Sequence, residues 1–216
     1  AGVDKINGAM MDIGVSSYQI DNGERGFSYM KDGPLDMRMD QKNELTAEYI
    51  VNNYSLDELQ EIFSKYGEER FSRTIARNIV EERKSKKIFT TLQLRNIVMK
   101  SVRTKEAHPE KRVFQALRIE VNRELEVLEN TLEKVVDRLE VGGRLCVITF
   151  LSLEDRIVKN KFKEMNTDCI CPPDLPVCVC DHKKKVKIIT KKPIEPTEKE
   201  KKENKRANSA KLRVCE

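Results

Sequence analysis

Three stretches of this chain hold residue types capable of chemistry. Cys169, Cys171, Cys178 and Cys180 lie in CICPPDLPVCVC, two CxC pairs bracketing a proline-rich loop that can bring four thiolates to one point. Tetrahedral zinc accepts four sulfurs, although its usual spacing is CxxC or longer, so zinc is weighed beside reduced thiols and, last, a disulfide. His182 can replace one thiolate. Arg70, Arg73 and Arg77 recur at spacings of three and four, and His108, Lys111 and Arg112 cluster ahead of a long apolar stripe, donors suited to phosphate oxygens. The third stretch runs from Asp12 to Asp40, DIGVSSYQIDNGERGFSYMKDGPLDMRMD. A polar loop this dense in Asp, Ser, Gly and Gln, directly after the apolar run Ala9-Met10-Met11, reads as the end of a sheet strand opening into a ligand site. No glycine-rich phosphate loop precedes it.

Composition sets the frame for these stretches. With 216 residues the chain exceeds the common single-core size of about 100 to 150, which suits one domain with a sizeable insertion. Charged residues make up 36% of it, well above the usual quarter, so much of the chain is solvated surface or polyanion contact. The net charge of +5 is unevenly spread: residues 65–112 hold 14 Lys and Arg against 6 acids, and residues 183–206 hold 11 against 4. Two segregated basic patches suit a phosphate-backbone partner, the plainer alternative being solvated lysine-rich surface. No apolar run approaches the ~18 residues of a membrane span, and the start lacks the basic and apolar regions of a signal peptide. The sequence therefore reads as soluble and cytoplasmic, with no membrane partner. Six cysteines in that setting argue for reduced thiols or a metal.

The elements that must position these groups follow from periodicity. A strand is predicted at Gly8 to Ile13, then a loop over residues 14–40 with no sustained period. Ser55 with Glu58 forms a capping box ahead of Leu56, Leu59, Ile62 and Phe63 at helical spacing. A second helix is predicted over 68–83, with Arg70, Arg73 and Arg77 on one face, and Thr90 with Gln93 caps a third. One long helix is expected from about Arg112 to Leu139, ended by Gly142 and Gly143. Then Arg144 to Phe150, RLCVITF, reads as a strand buried on both faces, and Ser152 to Lys163 as a helix. Val186 to Thr190 and Lys211 to Cys215 are further strand candidates, while Cys146 and Cys215 pack as small hydrophobes. This order is the carboxyl half of a doubly wound α/β sheet with a helical insertion.

Six strings, DIGVSSYQ (12–19), RGFSYMKDGPLDMRMD (25–40), YGEERFSRTIARNIV (66–80), HPEKRVFQALRIEVNRELEVLE (108–129), SLEDRIVK (152–159) and SAKLRVCE (209–216), resemble the RsmH (MraW) family in order over nearly the whole chain. The resemblance implies the carboxyl-terminal part of a class I, Rossmann-like methyltransferase sheet with an inserted all-helical domain. It implies an S-adenosylmethionine-dependent enzyme of rRNA processing that methylates the N4 amino group of a cytosine in 16S rRNA, in the decoding region of the small ribosomal subunit. Three regions are expected: residues 1–40 with the fourth strand and active-site loop, residues 41–112 as an RNA-recognition insertion, and residues 113–216 as the remainder with the Cys-rich loop 169–180. By resemblance Asp12 and Gln19 are cofactor contacts. A catalytic role for Asp12 is weighed against a simple strand-end turn.

An exocyclic cytosine amine is a poor nucleophile because its lone pair is delocalised into the ring. An enzyme must hold it in line with the methyl donor and accept its proton, and Asp12 stands at the strand end where such an acceptor belongs. Arg70, Arg73, Arg77, His108, Lys111 and Arg112 are the expected RNA contacts. Phe27 and Tyr29 are candidates to stack on an extruded base, with core packing the stronger expectation for Phe27. Two features depart from the family pattern: no segment here corresponds to its amino-terminal strand and GGHS-type cofactor loop, and Leu151 stands where the family usually has His. Those departures keep a second reading open, a non-catalytic RNA-binding or ribosome-assembly module derived from such an enzyme. An exposed strand edge is also expected, with a homodimer among its consequences.

Overall fold

The computed structural model describes residues 2, 4–102, 108–169, 171, 177, 179–180 and 182–216. They fall into two compact units: residues 1–14 with 125–216, and residues 15–124. The boundaries expected from sequence, after residues 40 and 112, lie elsewhere. Leu35 and Met37, in the loop assigned to the sheet, are buried in the helical unit's core beside Ile50 and Leu117, and Val113 to Val121 pack there as well.

The sheet unit is built on β1 (Ile6–Asp12), β2 (Leu139–Thr149) and β3 (Lys211–Cys215), in the order β1-β2-β3. β1 runs parallel to β2, with Met10 opposite Cys146 and Asp12 opposite Ile148, and β3 closes the other side antiparallel. Leu145, Val147 and Thr149 are buried, while Cys146 and Ile148 between them are half-buried, so β2 shows the period-2 alternation of a sheet with one better-covered face. Leu128 and Leu132 of α7 (Glu124–Val136) and Val158 and Phe162 of α8 (Ser152–Met165) complete this core. Gly142 and Gly143 lie inside β2 and do not end the preceding helix, which stops at Val136. They form the irregularity that shifts the register between Ile6 and Gly8, with Gly142 at φ +83°. Residues 186–190 add a single bridge to β3, Ile188 opposite Cys215, without becoming a regular strand. The charged stretch beyond Glu195 is helical over α9 (Glu198–Glu203), capped by Thr197.

The helical unit contains α1 (Ser17–Asp21), α2 (Ala47–Asn53), α3 (Leu56–Lys65), α4 (Ser72–Ser85), α5 (Thr91–Ser101) and α6 (Pro109–Asn122). The capping boxes at Ser55–Glu58 and Thr90–Gln93 form as the sequence predicts. The single long helix expected from Arg112 to Leu139 is two, because Arg123 takes the left-handed conformation at φ 50°. Arg118 then pairs with Glu124 in a fork of 2.7 and 3.0 Å across the break. The turn before α4 is equally specific. Gly67 lies so close to α6 that an added Cβ would sit 2.7 Å from the Arg112 carbonyl oxygen, and Gln115 donates to the Tyr66 carbonyl at 2.8 Å. Among the described residues no helix is long and apolar enough to cross a membrane.

Candidate functional site

Asp12 is the last residue of β1, exposed, at the carboxyl end of the parallel pair. The next residue, Ile13, donates its N–H to the Ile148 carbonyl at 3.1 Å, and Gly14 turns the chain away at φ +102° into space with nothing within 4 Å of a would-be Cβ. An exposed carboxylate beside an open turn at the end of a parallel strand is where α/β sheets bind ligands. β2 ends at the same side of the sheet and leads into α8. There the Glu154 carboxylate, buried, accepts the N–H groups of Phe150 and Leu151 at 2.9 and 3.0 Å and fixes the strand-to-helix turn. Leu151 contributes no side-chain cap, so no imidazole stands there.

One residue on, Asp155 forms a bidentate pair with Arg213 of β3 at 2.6 and 3.0 Å, with Lys211 at 3.7 Å. Burial pushes the Asp155 carboxyl up, but the hydrogen bonds and charge of Arg213, helped by Lys211, outweigh it and hold the group below the ordinary carboxylate range. The pair ties the start of α8 to β3.

Gln19 lies in the helical unit, on α1. Its side-chain oxygen accepts the Ser16 N–H at 2.9 Å while the Ser16 hydroxyl accepts the Gln19 N–H, a reciprocal cap that employs the amide oxygen. The loop that follows is held by its own arginines. Arg25 donates to the carbonyl of Arg38 at 2.7 Å, and Arg38 forms a fork with Asp36 and reaches the carbonyls of Gln41 and Asn43. Burial raises the Asp36 carboxyl, yet Arg38 and, more weakly, Arg25 bring it below its usual value. Phe27 is buried beneath Arg25, and the Tyr29 ring packs edge-on against Phe114 with centroids 5.9 Å apart. Phe27 serves the core, as the sequence favours, while Tyr29 packs against it half-buried.

The expected basic face is only partly assembled. Arg73 and Arg77 are exposed one turn apart on α4, and among the described residues neither has an ion-pair or hydrogen-bond partner. Arg70 is exposed too, but in the turn before α4, since the helix begins at Ser72 and not at residue 68. Arg112 faces the buried Glu69 at 3.6 Å, which draws the start of α6 towards the turn that carries Arg70. Lys111 is exposed, and His108, also exposed, has Nδ1 3.2 Å from Glu110. Arg83 on α4 is different in kind: its guanidinium donates to the carbonyls of Val51 and Tyr54 at 2.7 and 2.6 Å, a structural strut between α4 and α2.

In the Cys-rich segment the sulfurs of Cys169, Cys171 and Cys180 lie within 4.8 Å of one another. Cys178 lies outside the described residues. His182 is not part of the group; its Nε2 is 3.0 Å from the Glu164 carbonyl at the end of α8.

The model of the MraW methylase family matches residues 1–216, the whole chain. The chain belongs to the MraW methylase family. Among curated MraW relatives, a protein of Halothermothrix orenii is 58% identical over 215 residues, covering 98% of this chain and 69% of the relative. One from Clostridium botulinum (strain 657) is 56% identical over 216 residues, covering 99% and 70%, and one from Fusobacterium nucleatum is 56% identical over 217 residues, covering 100% and 69%. All three are named ribosomal RNA small subunit methyltransferase H. The mixed three-stranded sheet with its long helical connection is accordingly the carboxyl-terminal part of a Rossmann-like methyltransferase.

Membership in the MraW family also shows which positioning residues periodicity misses. Asn122, Glu154 and Asp155 lie inside strings that carry the resemblance, but nothing in their spacing marks them, because each acts on backbone or on a partner distant in sequence.

Proposed function

We propose that this MraW-family chain serves S-adenosylmethionine-dependent methylation of the N4 amino group of a cytosine in 16S rRNA, acting on the small ribosomal subunit in the cytoplasm. The observation that carries the reading is the 56–58% identity, over nearly every residue, to proteins named ribosomal RNA small subunit methyltransferase H. S-adenosylmethionine, when bound, supplies a methyl group on a positively charged sulfur. The sheet unit fits such a ligand at Asp12, which offers an exposed carboxylate at the end of a parallel strand, beside the open turn at Gly14; Gln19 is the second cofactor contact that the family resemblance implies.

In this reading Asp12 accepts a hydrogen bond from the cytosine amine and so orients its nitrogen. As the new carbon–nitrogen bond forms and the bond from carbon to sulfur breaks, the amine loses one proton, and an adjacent carboxylate favours that loss. Arg70, Arg73, Arg77, Lys111 and Arg112 supply phosphate contacts that set the register of the RNA, with His108 beside them.

Transfer of labelled methyl from S-adenosylmethionine to unmethylated small ribosomal subunits tests the proposal. The expected product is N4-methylcytosine in 16S rRNA, with Asp12→Asn lowering the rate at least tenfold while RNA binding persists. RNA binding without cofactor binding or methyl transfer would instead favour the non-catalytic assembly module.

A further inference from the structure

The methyl-transfer reading leaves the cysteine pairs unused. We infer that Cys169, Cys171 and Cys180 form a thiolate site for one zinc ion, a structural centre separate from the methyltransferase chemistry.

The spacing of the sulfurs is the first argument. Zinc–sulfur bonds of about 2.3 Å at tetrahedral angles place neighbouring sulfurs about 3.8 Å apart, whereas a disulfide needs about 2.05 Å. Cys169 and Cys180 have their sulfurs 3.8 Å apart, and the third lies in the same group. The second argument is electrostatic. The N–H of Cys171 points at the Cys169 sulfur and that of Val179 at the Cys171 sulfur, each at 3.4 Å. N–H groups aimed at sulfur supply the outer hydrogen bonds that orient metal ligands. Soft sulfur donors select zinc over magnesium or calcium, which take oxygen.

The scaffold supplies the third argument. Both ends of the segment are fastened to the last turn of α8: Thr167 donates its N–H to the Glu164 carbonyl and its hydroxyl to that of Lys163, while Lys185 and Val186 donate to the Met165 carbonyl at 2.8 and 3.2 Å. Lys185 is further held by Glu133 and Asp137 of the α7 end. A base closed in advance lowers the loop-closure cost of bringing the described thiols together. The fourth coordination position is left to a ligand other than the three described thiols.

The test is metal content. Protein made in zinc-supplemented medium and purified without chelator under reducing conditions is expected to hold about one zinc per chain, as a structural tetrahedral site requires. Cys146→Ser should keep that zinc, and the Cys169→Ser/Cys180→Ser double variant should lose it. Cobalt(II) exchanged into the wild-type chain should give sulfur-to-cobalt charge transfer with the visible bands of tetrahedral coordination, a readout that does not depend on how well any variant folds. Zinc far below one per chain, zinc retained by the double variant, octahedral cobalt spectra, or a native mass showing a disulfide each overturn the inference. None of these outcomes bears on methyl transfer, so the two proposals fail separately.

Discussion

Asn122 clasps Met37 in a conformation that methionine rarely adopts. Met37 is fully buried at φ 62°; the Asn122 Nδ2 donates to its carbonyl at 2.8 Å, and the Asn122 Oδ1 accepts the N–H of Met39 at 2.7 Å. A left-handed non-glycine residue costs on the order of 1 kcal/mol or more, and persists only where its surroundings enforce it. Asn122→Ala strands a carbonyl and an N–H in a half-buried place. The expected loss is about 1–3 kcal/mol of helical-unit stability, read as a lower urea midpoint. An unchanged midpoint would mean that the clasp follows the loop's shape without enforcing it.

Gly67 offers a steric counterpart. Its hydrogen faces the carbonyl oxygens of Arg112 and Phe63, and a methyl group would approach both to 2.7 Å. Neither atom is the end of a flexible side chain. Gly67→Ala should therefore push α3 and α6 apart and cost about 1–3 kcal/mol, the usual range for overpacking. Chemical-shift changes in a labelled sample should centre on Tyr66, Arg112 and Gln115; a midpoint equal to wild type would show that the backbone gives way freely.

These two sites also show where sequence legibility ends. The caps at Ser55 and Thr90, the strands at β1 and β3, and α8 are readable because each carries its signal locally, a capping residue or an apolar period. The break at Arg123 is not, since an arginine in a left-handed conformation is dictated by packing on either side and has no composition cue. Residues 14–40 resemble an active-site loop of the sheet domain because their acids and glycines dominate the pattern. Leu35 and Met37, two buried apolar positions in DGPLDMRMD, bind the segment to the helical core, with Met39 packed against it. Of the candidate site, the end of β1 at Asp12 and the exposed α4 arginines are legible in the sequence. The cap that occupies the Gln19 oxygen is not, because Ser16 and Gln19 sit in a stretch whose polar composition suggests a ligand loop and hides a helix start.

The Asp155–Arg213 pair predicts a pH dependence. A carboxyl held below its unfolded value contributes stability that is fully present above the unfolded value, about 3.9, and is lost as pH falls through the folded value. Wild-type stability should thus fall below about pH 4 more steeply than that of Asp155→Asn, whose curve lacks this contribution. At neutral pH the variant should be the less stable, because Arg213 is left buried without its carboxylate. Thermal melts at pH 7 and pH 3 check both statements, and parallel curves for the two proteins would contradict them.

Thiol reactivity should divide the cysteines by environment. Burial at the centre of the sheet unit pushes the Cys215 thiol up to about 12, so at pH 8 it holds almost no thiolate. In native, reduced, metal-free protein an aromatic disulfide reagent should react quickly with Cys169, Cys171 and Cys180 and reach Cys215 only after denaturant is added. Peptide mapping of the labelled sites reads this directly. Rapid native labelling of Cys215 would show that the β2–β3 pairing opens far more often than its closed core suggests.

The arginines of α4 provide the sharpest separation of binding from folding. Arg73 and Arg77 are exposed and carry no internal partner among the described residues, whereas Arg83, on the same helix, commits its guanidinium to the carbonyls of Val51 and Tyr54. If the exposed pair binds single-stranded RNA, removing the charge opposite one phosphate should flatten the dependence of log affinity on log salt by about 0.7. Arg73→Gln with Arg77→Gln should therefore weaken rRNA-fragment binding most at low salt, reduce the slope, and leave the melting temperature within error. Arg83→Gln should do the reverse, lowering the melting temperature because two carbonyls lose their donor, with no change of slope in the folded fraction. Filter binding across a salt series, paired with melts of the same samples, distinguishes the two. Equal slopes in wild type and the double variant would move the RNA-binding surface off α4, and the basic turn around Arg70 and Arg112 would become the place to probe.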